Sequence, residues 1–358
     1  MIRPGLVFCG LLCLAVWGCN KPATESDGAM DVPDWLTEDE ESSDDAGDTA
    51  MADAREDSPP KARSRSAARE PRGELKLNLN EGDRFPLRKA VTTTLTQESI
   101  DGTVQRIQSD LELLMVIQVR KVDRGRTLLG VKYNRVVFEQ SLDGQTQKFD
   151  SQNPGARIPP VAQAYYDMIG DGFEFWIGAD NQISEVVGFR EFLARAMRNI
   201  SPEQQRQVTL SLEAGADENG MSDFVDNTIG LLPFSREASP GQSWNRQRRI
   251  GRPIPMVIEN QYTVQELSPT DAVVKITGQV LPSDAVAQVS QSQGDIHVRV
   301  HDGTIDGRCV IFRDTGLPKE SITERVMNMT VDLGDGYEFK QTKTVQTVVE
   351  SYPETAPH

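Results

Sequence analysis

Asp171 and Glu174 flank the start of the aromatic run Phe173-Glu174-Phe175-Trp176. Two carboxylates beside an indole are raw material for glycoside hydrolysis. One acid protonates the leaving oxygen and the other attacks or activates water, at a separation of roughly 5–9.5 Å. Turn acids next to a core aromatic give the same pattern, and the spacing alone does not fix the separation. His297 and His301 lie in the alternating run His297-Val298-Arg299-Val300-His301. On a strand, residues four apart share a face but stand about 13 Å from each other, too far for one metal ion. A solvent-facing pair is therefore expected. Arg246, Arg248 and Arg249 follow Trp244. They read either as a charged strand face or as a contact for an anionic ligand. Cys309 sits in Arg308-Cys309-Val310-Ile311-Phe312, a strand-like run that points to a buried, inert thiol. No Gly-x-Ser-x-Gly, His-Glu-x-x-His, P-loop or Gly-x-Gly-x-x-Gly occurs. Asp332 to Asp335 lacks the spacing and closing Glu of a calcium loop. No catalytic residue, cofactor or metal ligand is assigned.

The strongest site is at the N-terminus. Met1-Ile2-Arg3 starts positive, and Gly5 to Gly18 carries no charge. This is the pattern of a secretory signal, and about 20 apolar residues would be needed to span a bilayer as a helix. The segment closes with Val16-Trp17-Gly18-Cys19-Asn20. Val16, Gly18 and Cys19 resemble the lipobox of bacterial lipoproteins, while Trp17 departs from it. The resemblance implies cleavage before Cys19, diacylglycerol on its thiol, and attachment of the chain to a membrane. Asn20 in place of Asp favours the outer membrane on the same resemblance. Cys9, Cys13 and Cys19 all lie in this leader, so only Cys309 remains and the body holds together without disulfides.

The chain of 358 residues has 38 Lys and Arg against 54 Asp and Glu, a net charge of -16. That balance argues against a nucleic-acid partner, which needs surplus cations to neutralise phosphates. Much of the excess is local. Residues 20–60 hold fourteen acids and two bases, and residues 61–72 hold five bases and one acid. With almost no aliphatic side chains, the acidic stretch cannot offset chain entropy and is expected to be a disordered tether. Its coil of about 53 residues spans on the order of 40 Å.

From Glu74 on, the texture becomes that of strands. Leu75, Leu77 and Leu79 alternate with polar residues, and Leu111, Leu113, Met115, Ile117 and Val119 do so again. Asp123-Arg124-Gly125-Arg126, Asp143-Gly144 and Gly178-Ala179-Asp180-Asn181 are turns between further strands. The order then repeats. Glu81-Gly82-Asp83-Arg84-Phe85 resembles Pro240-Gly241-Gln242-Ser243-Trp244, residues 111–137 resemble 256–281, and 173–187 resemble 307–326. A last hairpin runs from Val331 to Glu350 through Gly334-Asp335-Gly336. Two sheets around a shared core are expected. Between them, Phe189, Phe192, Leu193, Ala196, Met197 and Ile200 follow helical spacing. Ser201-Pro202 starts a second helix, Ser222 caps a third before Pro233, and Pro159 to Met168 forms a short one.

The expected class is α+β, predominantly antiparallel β, with two similar curved β-sheet units and a helical segment between them after a disordered tether. The divisions are a signal peptide at 1–18, linker at 19–73, first β unit at 74–188, helical segment at 189–236, second β unit at 237–352 and tail at 353–358. The runs Leu75-Lys76-Leu77-Asn78-Leu79-Asn80-Glu81-Gly82-Asp83, Pro233-Phe234 and Pro240-Gly241-Gln242-Ser243-Trp244 resemble an uncharacterised family of bacterial envelope lipoproteins, domain-of-unknown-function family 6263. The resemblance brings no activity with it. The expected function is a non-enzymatic binding or scaffold module, held at the cell envelope on its periplasmic or outer-membrane side. Its expected partner is an apolar small molecule or an envelope protein. The alternative is an envelope hydrolase acting on glycans through Asp171 and Glu174.

Overall fold

The computed structural model describes residues 73–98, 102–142, 145–155, 158, 160–179, 182–202, 205, 208, 236–250, 254–283, 287–291, 294–332 and 338–352. The leader with Cys19, the tether, the helix expected after Ser222 and the C-terminal tail lie outside these residues. So do the turns at Asp143-Gly144 and Gly334-Asp335-Gly336.

The first half contains β1 (Gly73–Leu75), β2 (Arg84–Glu98), β3 (Val104–Asp123), β4 (Arg126–Leu142), β5 (Gln145–Asp150), α1 (Pro160–Asp167), β6 (Gly172–Ile177), β7 (Ile183–Val187) and α2 (Phe189–Met197). The second contains β8 (Arg236–Ala238), β9 (Ser243–Ile250), β10 (Met256–Leu267), β11 (Asp271–Pro282), β12 (Ala287–Gln291), β13 (Gly294–Phe312), β14 (Pro318–Asp332) and β15 (Glu338–Ser351). Among these, β1 pairs with β8. The rest form one sheet of thirteen strands in the order β7-β6-β4-β3-β2-β15-β14-β13-β11-β10-β9, with β5 beside β4 and β12 beside β13. Every strand pairing in it is antiparallel.

The sheet is continuous where the sequence pattern suggested two sheets. The reason is β2, which pairs with β15 from Leu87↔Ser351 to Glu98↔Lys340. Val91-Thr92-Thr93-Thr94 at its centre is β-branched and suits a pleated strand, but it shows no apolar alternation to announce one. Both halves open the same way. Gly82 N–H donates to Val119 O at 2.9 Å and Val119 N–H returns to Asp83 O at 2.9 Å. Gly241 N–H donates to Val264 O at 2.7 Å, and Val264 N–H returns to Gln242 O at 2.9 Å. Gly82 and Gly241 take left-handed φ values of 92° and 85°. A bulge follows at Val119/Lys121 and at Val264/Glu266.

Two apolar clusters form. The first gathers Leu113, Met115, Leu129, Tyr133 and Phe175 under the helices. Phe189, Phe192, Leu193, Ala196 and Met197 of α2 are buried there, as the helical spacing predicts. Phe192 stacks on Tyr133 at 5.5 Å between ring centroids, and Phe173 meets Phe189 edge-on at 5.2 Å. The second cluster gathers Ile258, Tyr262, Val274, Val300, Met327 and Met329 with Leu75 and Ala238. Among the described residues, no helix belongs to it. The run from Leu75 to Leu79 is a strand only as far as Leu75. Beyond it, Asn78 N–H bonds to Thr315 O at 3.0 Å, and the chain crosses from the second cluster at Leu75 to the first at Leu79.

The sheet curls. Across its free edges, Arg246 of β9 donates from Nε and Nη2 to Gln182 Oε1 at 3.1 and 2.5 Å, just ahead of β7. A glycine at an inward strand position lets neighbouring strands come closer than a side chain would allow. A Cβ on Gly303 of β13 would collide with Val326 O of β14 and press on Val280 of β11. Gly303→Val is therefore expected to lower unfolding stability by about 2 kcal/mol, as overpacking does. Denaturant midpoints measure it, and an unchanged midpoint would mean the neighbouring strands yield freely.

Candidate functional site

Strand alternation gives the sheet two chemically different faces. The inner face carries the apolar clusters. It also carries five cations: Lys89 on β2, Arg325 on β14, Lys343 on β15, and Arg246 and Arg248 on β9. Among the described side chains of the thirteen strands, every Asp and Glu falls on the outer face. There they pair with outer cations. Arg88 donates to Glu112 Oε2 at 2.8 Å and to Glu350 Oε2 at 3.0 Å, clamping β3, β2 and β15 together. These two carboxylates push the Arg88 guanidinium further above its ordinary range. Arg135 binds Asp150 through both oxygens, at 3.2 and 2.7 Å, which holds the Asp150 carboxyl below the usual carboxylate range.

Polar residues recur on the inner face across the seam strands. One row runs Gln140, Ser109, Thr93, Val345 and Arg325 across β4, β3, β2, β15 and β14. Beyond it, Met327, Lys343, Leu95 and Ile107 form the next row, and Met329, Gln341, Gln97 and Gln105 the one after. Arg325 and Lys343 are diagonal neighbours on adjacent strands, about 7–8 Å apart at the backbone. Lys89 lies four residues from Thr93 along β2, about 13 Å away on the same face. Lys89, Gln97, Gln140 and Gln341 are all buried, Gln341 to 2% exposure. Gln341 Nε2 has no hydrogen-bond partner among the described residues, and neither has Gln105 Oε1 or, on β5 beside Gln140, Gln147 Oε1. Burying an amide without a partner costs on the order of 1–3 kcal/mol.

None of these residues carried a motif. Their only signal in the sequence is a polar residue at an inward position, as in Gln341-Thr342-Lys343-Thr344-Val345. The residues that did stand out are placed as follows. Asp171 lies ahead of β6 and accepts Arg195 Nε and Nη2 of α2 at 2.6 and 3.0 Å. Glu174 faces outward, 3.4 Å from Arg120 Nε. Trp176 also faces outward and is covered by the Arg126 guanidinium at 4.5 Å. Both carboxylates and the aromatic platform thus have cationic partners. His301 occupies a bulge between Val300 and Asp302, with its ring nitrogen 2.6 Å from Thr330 Oγ1. His297 and His301 are both exposed, and no metal-holding group of His, Cys, Asp and Glu forms among the described residues. The arginine run divides: Arg246 and Arg248 share the inner face with Trp244 and Ile250, and Arg249 points out. Cys309 is a buried thiol, outside any disulfide, on the inner face. Cys19 lies outside the described residues.

A model for a family of unknown function, DUF6263, matches residues 124–318. No curated protein matches the sequence. Lipovitellin, in a structure of its lipid–protein interactions, is similar at a TM-score of 0.41 and 12% identity, over 78% of this chain and 27% of its own. The chain therefore spans about a quarter of the lipovitellin it matches. An outer membrane channel of Pseudomonas putida F1 is similar at a TM-score of 0.20 and 9% identity, over 77% of this chain and 98% of the channel. The P. putida toluene transporter TodX is similar at 0.19 and 9%, over 78% and 91%.

Arg195 holds the Asp171 carboxyl below the usual range, with burial acting in the opposite direction and the Gly172 N–H assisting. A depressed folded-state pKa gives stability that is present above the ordinary Asp value near 3.9 and is lost as pH falls through the lowered value. Asp171→Asn is expected to lower stability at neutral pH by about 1 kcal/mol, since the pair is half exposed. The deficit relative to wild type should shrink below pH 4. A deficit of constant size in melts from pH 3 to pH 7 would show that the pair does not anchor α2.

Proposed function

The chain belongs to DUF6263, and for this member of a family of unknown function we propose an envelope lipoprotein that binds an apolar ligand without transforming it. Cys19 carries the lipid anchor, the tether at 19–73 gives reach, and the body sits on the periplasmic or outer-membrane side. The observation that carries the reading is the inner face of the sheet. It is apolar over both clusters, and α1 and α2 pack on the first. Arg246 on the β9 edge bonds to Gln182 just ahead of β7, which draws the two ends of the sheet together. Such a curled antiparallel sheet offers an apolar site with a few placed polar groups.

The body at 74–188 and 237–352 is read as a duplicated β unit with the helical segment 189–236 between its copies. What supports this is the matching pair of openings at Gly82 and Gly241, each with reciprocal bonds and a bulge. The strand sequences β2-β3-β4-β6-β7 and β9-β10-β11-β13-β14 also follow one another in the same sense across the sheet.

Two experiments test the parts separately. Labelled palmitate should enter wild type and be absent from Cys19→Ala. Equal incorporation in both would refute the anchor. For the ligand, the mature chain from residue 19 carrying Cys19→Ala, exported behind an unrelated cleavable leader, is purified without detergent. Native mass spectrometry is expected to find adducts of lipid mass. Ligand-free protein throughout would leave a scaffold in place of a binder.

A further inference from the structure

We infer that the ribbon of β1 and β8 is a strap that opens apart from the large sheet, and that its opening admits the apolar ligand to the second cluster. The inference rests on the binding reading above and adds how that site is entered.

The ribbon stands outside the thirteen-strand sheet. It has three residue pairs, Gly73↔Ala238, Glu74↔Glu237 and Leu75↔Arg236, where β2 and β15 share twelve. A two-stranded ribbon is marginal by itself, so its place is set by what it lies on. Leu75 and Ala238 are buried in the second cluster, together with Val264, Ile311 and Cys309. Its neighbours trace its course. β1 begins against Arg313, just past the end of β13, and the guanidinium fills the space that a Cβ on Gly73 would need. The same guanidinium donates from Nη1 to Ser268 O at 2.5 Å, in the turn from β10 to β11. After β1, Asn78 Nδ2 donates to Asp314 O at 3.0 Å. β8 leads at once into Gly241 and Gln242, which bond to Val264 of β10. The ribbon therefore lies across the end of the sheet where β13, β11 and β10 turn, and it closes the second cluster there. Few pairs and two apolar anchors place its opening at the low end of the molecule's local stabilities, well below that of the long ladders. Opening uncovers apolar surface without breaking a pair of the large sheet. The tether proposed above enters the body at β1, so the strap is the first element that a displacement of the anchor would reach.

The test uses the mature chain from residue 19 carrying Cys19→Ala, in which Cys309 is the one thiol. Its reaction with a nitrobenzoate disulfide reagent reports exposure of the second cluster. Below the unfolding transition, labelling is expected to depend little on urea, as a local opening does. Leu75→Ala and Arg313→Ala should each speed it about 10-fold or more, because each removes a contact made by the closed strap. Leu193→Ala, under α2 in the first cluster, should lower the denaturant midpoint and leave labelling in native buffer unchanged. The dye N-phenylnaphthylamine then serves as the apolar probe, and its uptake should be speeded by the strap variants by the same factor as labelling. If Leu75→Ala unfolds by circular dichroism, Arg313→Ala and the urea dependence of wild type decide. Labelling that follows global unfolding at every urea concentration would show that no strap opens and overturn the inference, while dye binding would keep the binding reading standing. Faster labelling with unchanged dye uptake would show that the ligand enters elsewhere and overturn the gate. A wild type that takes up no dye would remove the binding reading and the gate with it.

Discussion

The pairing of β2 with β15 is the constraint on which the rest depends. It joins residues near the start of the body to residues at its end, so a large loop must close before the contact forms. Without it the chain would present two long free edges, each a template for association. With it, eleven strands run in unbroken order and two more attach beside them. Arg88 secures the seam from outside, drawing Glu112 of β3 and Glu350 of β15 onto one guanidinium. Tyr352 extends it by donating its N–H to Pro86 O at 2.8 Å. The seam is also what brings Leu95 and Gln97 of β2 opposite Lys343 and Gln341 of β15. Neither half alone assembles those rows. A topology with such distant partners is of the slow-folding kind, since non-local pairing is rewarded only after closure.

The two faces of the sheet divide electrostatic labour. Outside, ion pairs such as Arg135–Asp150 and Lys148–Glu139 are solvated and screened, and each contributes little. Their acids give the surface its negative field, which keeps the molecule soluble and repels bulk anionic surfaces. Inside, the same charge laws act in a lower dielectric and carry more weight. Segregating the signs therefore creates a gradient from a negative exterior to a positive lining.

How much of this was legible in the sequence follows from the physics of alternation. β3, β4 and β10 announce themselves because apolar and polar residues trade places every second position. α2 does so through its five buried apolar residues at helical spacing. β2 is silent, because threonine fits a strand on either face and blurs the period. That silence hid the seam, and with it the difference between two sheets and one. Period two also says that residues share a face without saying which face is inward. Arg246, Arg248 and Arg249 look like one patch in sequence, and only the pairing of β9 with β10 divides them. The bulge at His301 is invisible for a similar reason, since one extra residue breaks the register without changing composition. Asp171 and Glu174 stood out by type, but a carboxylate's role is set by its neighbours, and Arg195 comes from a separate helix.

A belt of buried polar groups at the seam admits two physical explanations. Polar residues inside a sheet can fix its register, because a slip would strand them against apolar neighbours. That explanation needs the groups to satisfy one another once the register is correct. Outside, they do: Thr92 donates to Asp110 Oδ1 at 2.6 Å across β2 and β3, and Gln346 donates to Glu324 Oε2 at 2.7 Å across β15 and β14. Inside, the geometry differs. Gln341, Gln97 and Gln105 stand in one row with three complementary amides in register, yet Gln341 Nε2 and Gln105 Oε1 close no bond within the described chain. A register device would close there. Two open amide atoms in that row are therefore a cost the seam carries, on the order of 1–3 kcal/mol each, and the pairing of β2 with β15 outweighs it.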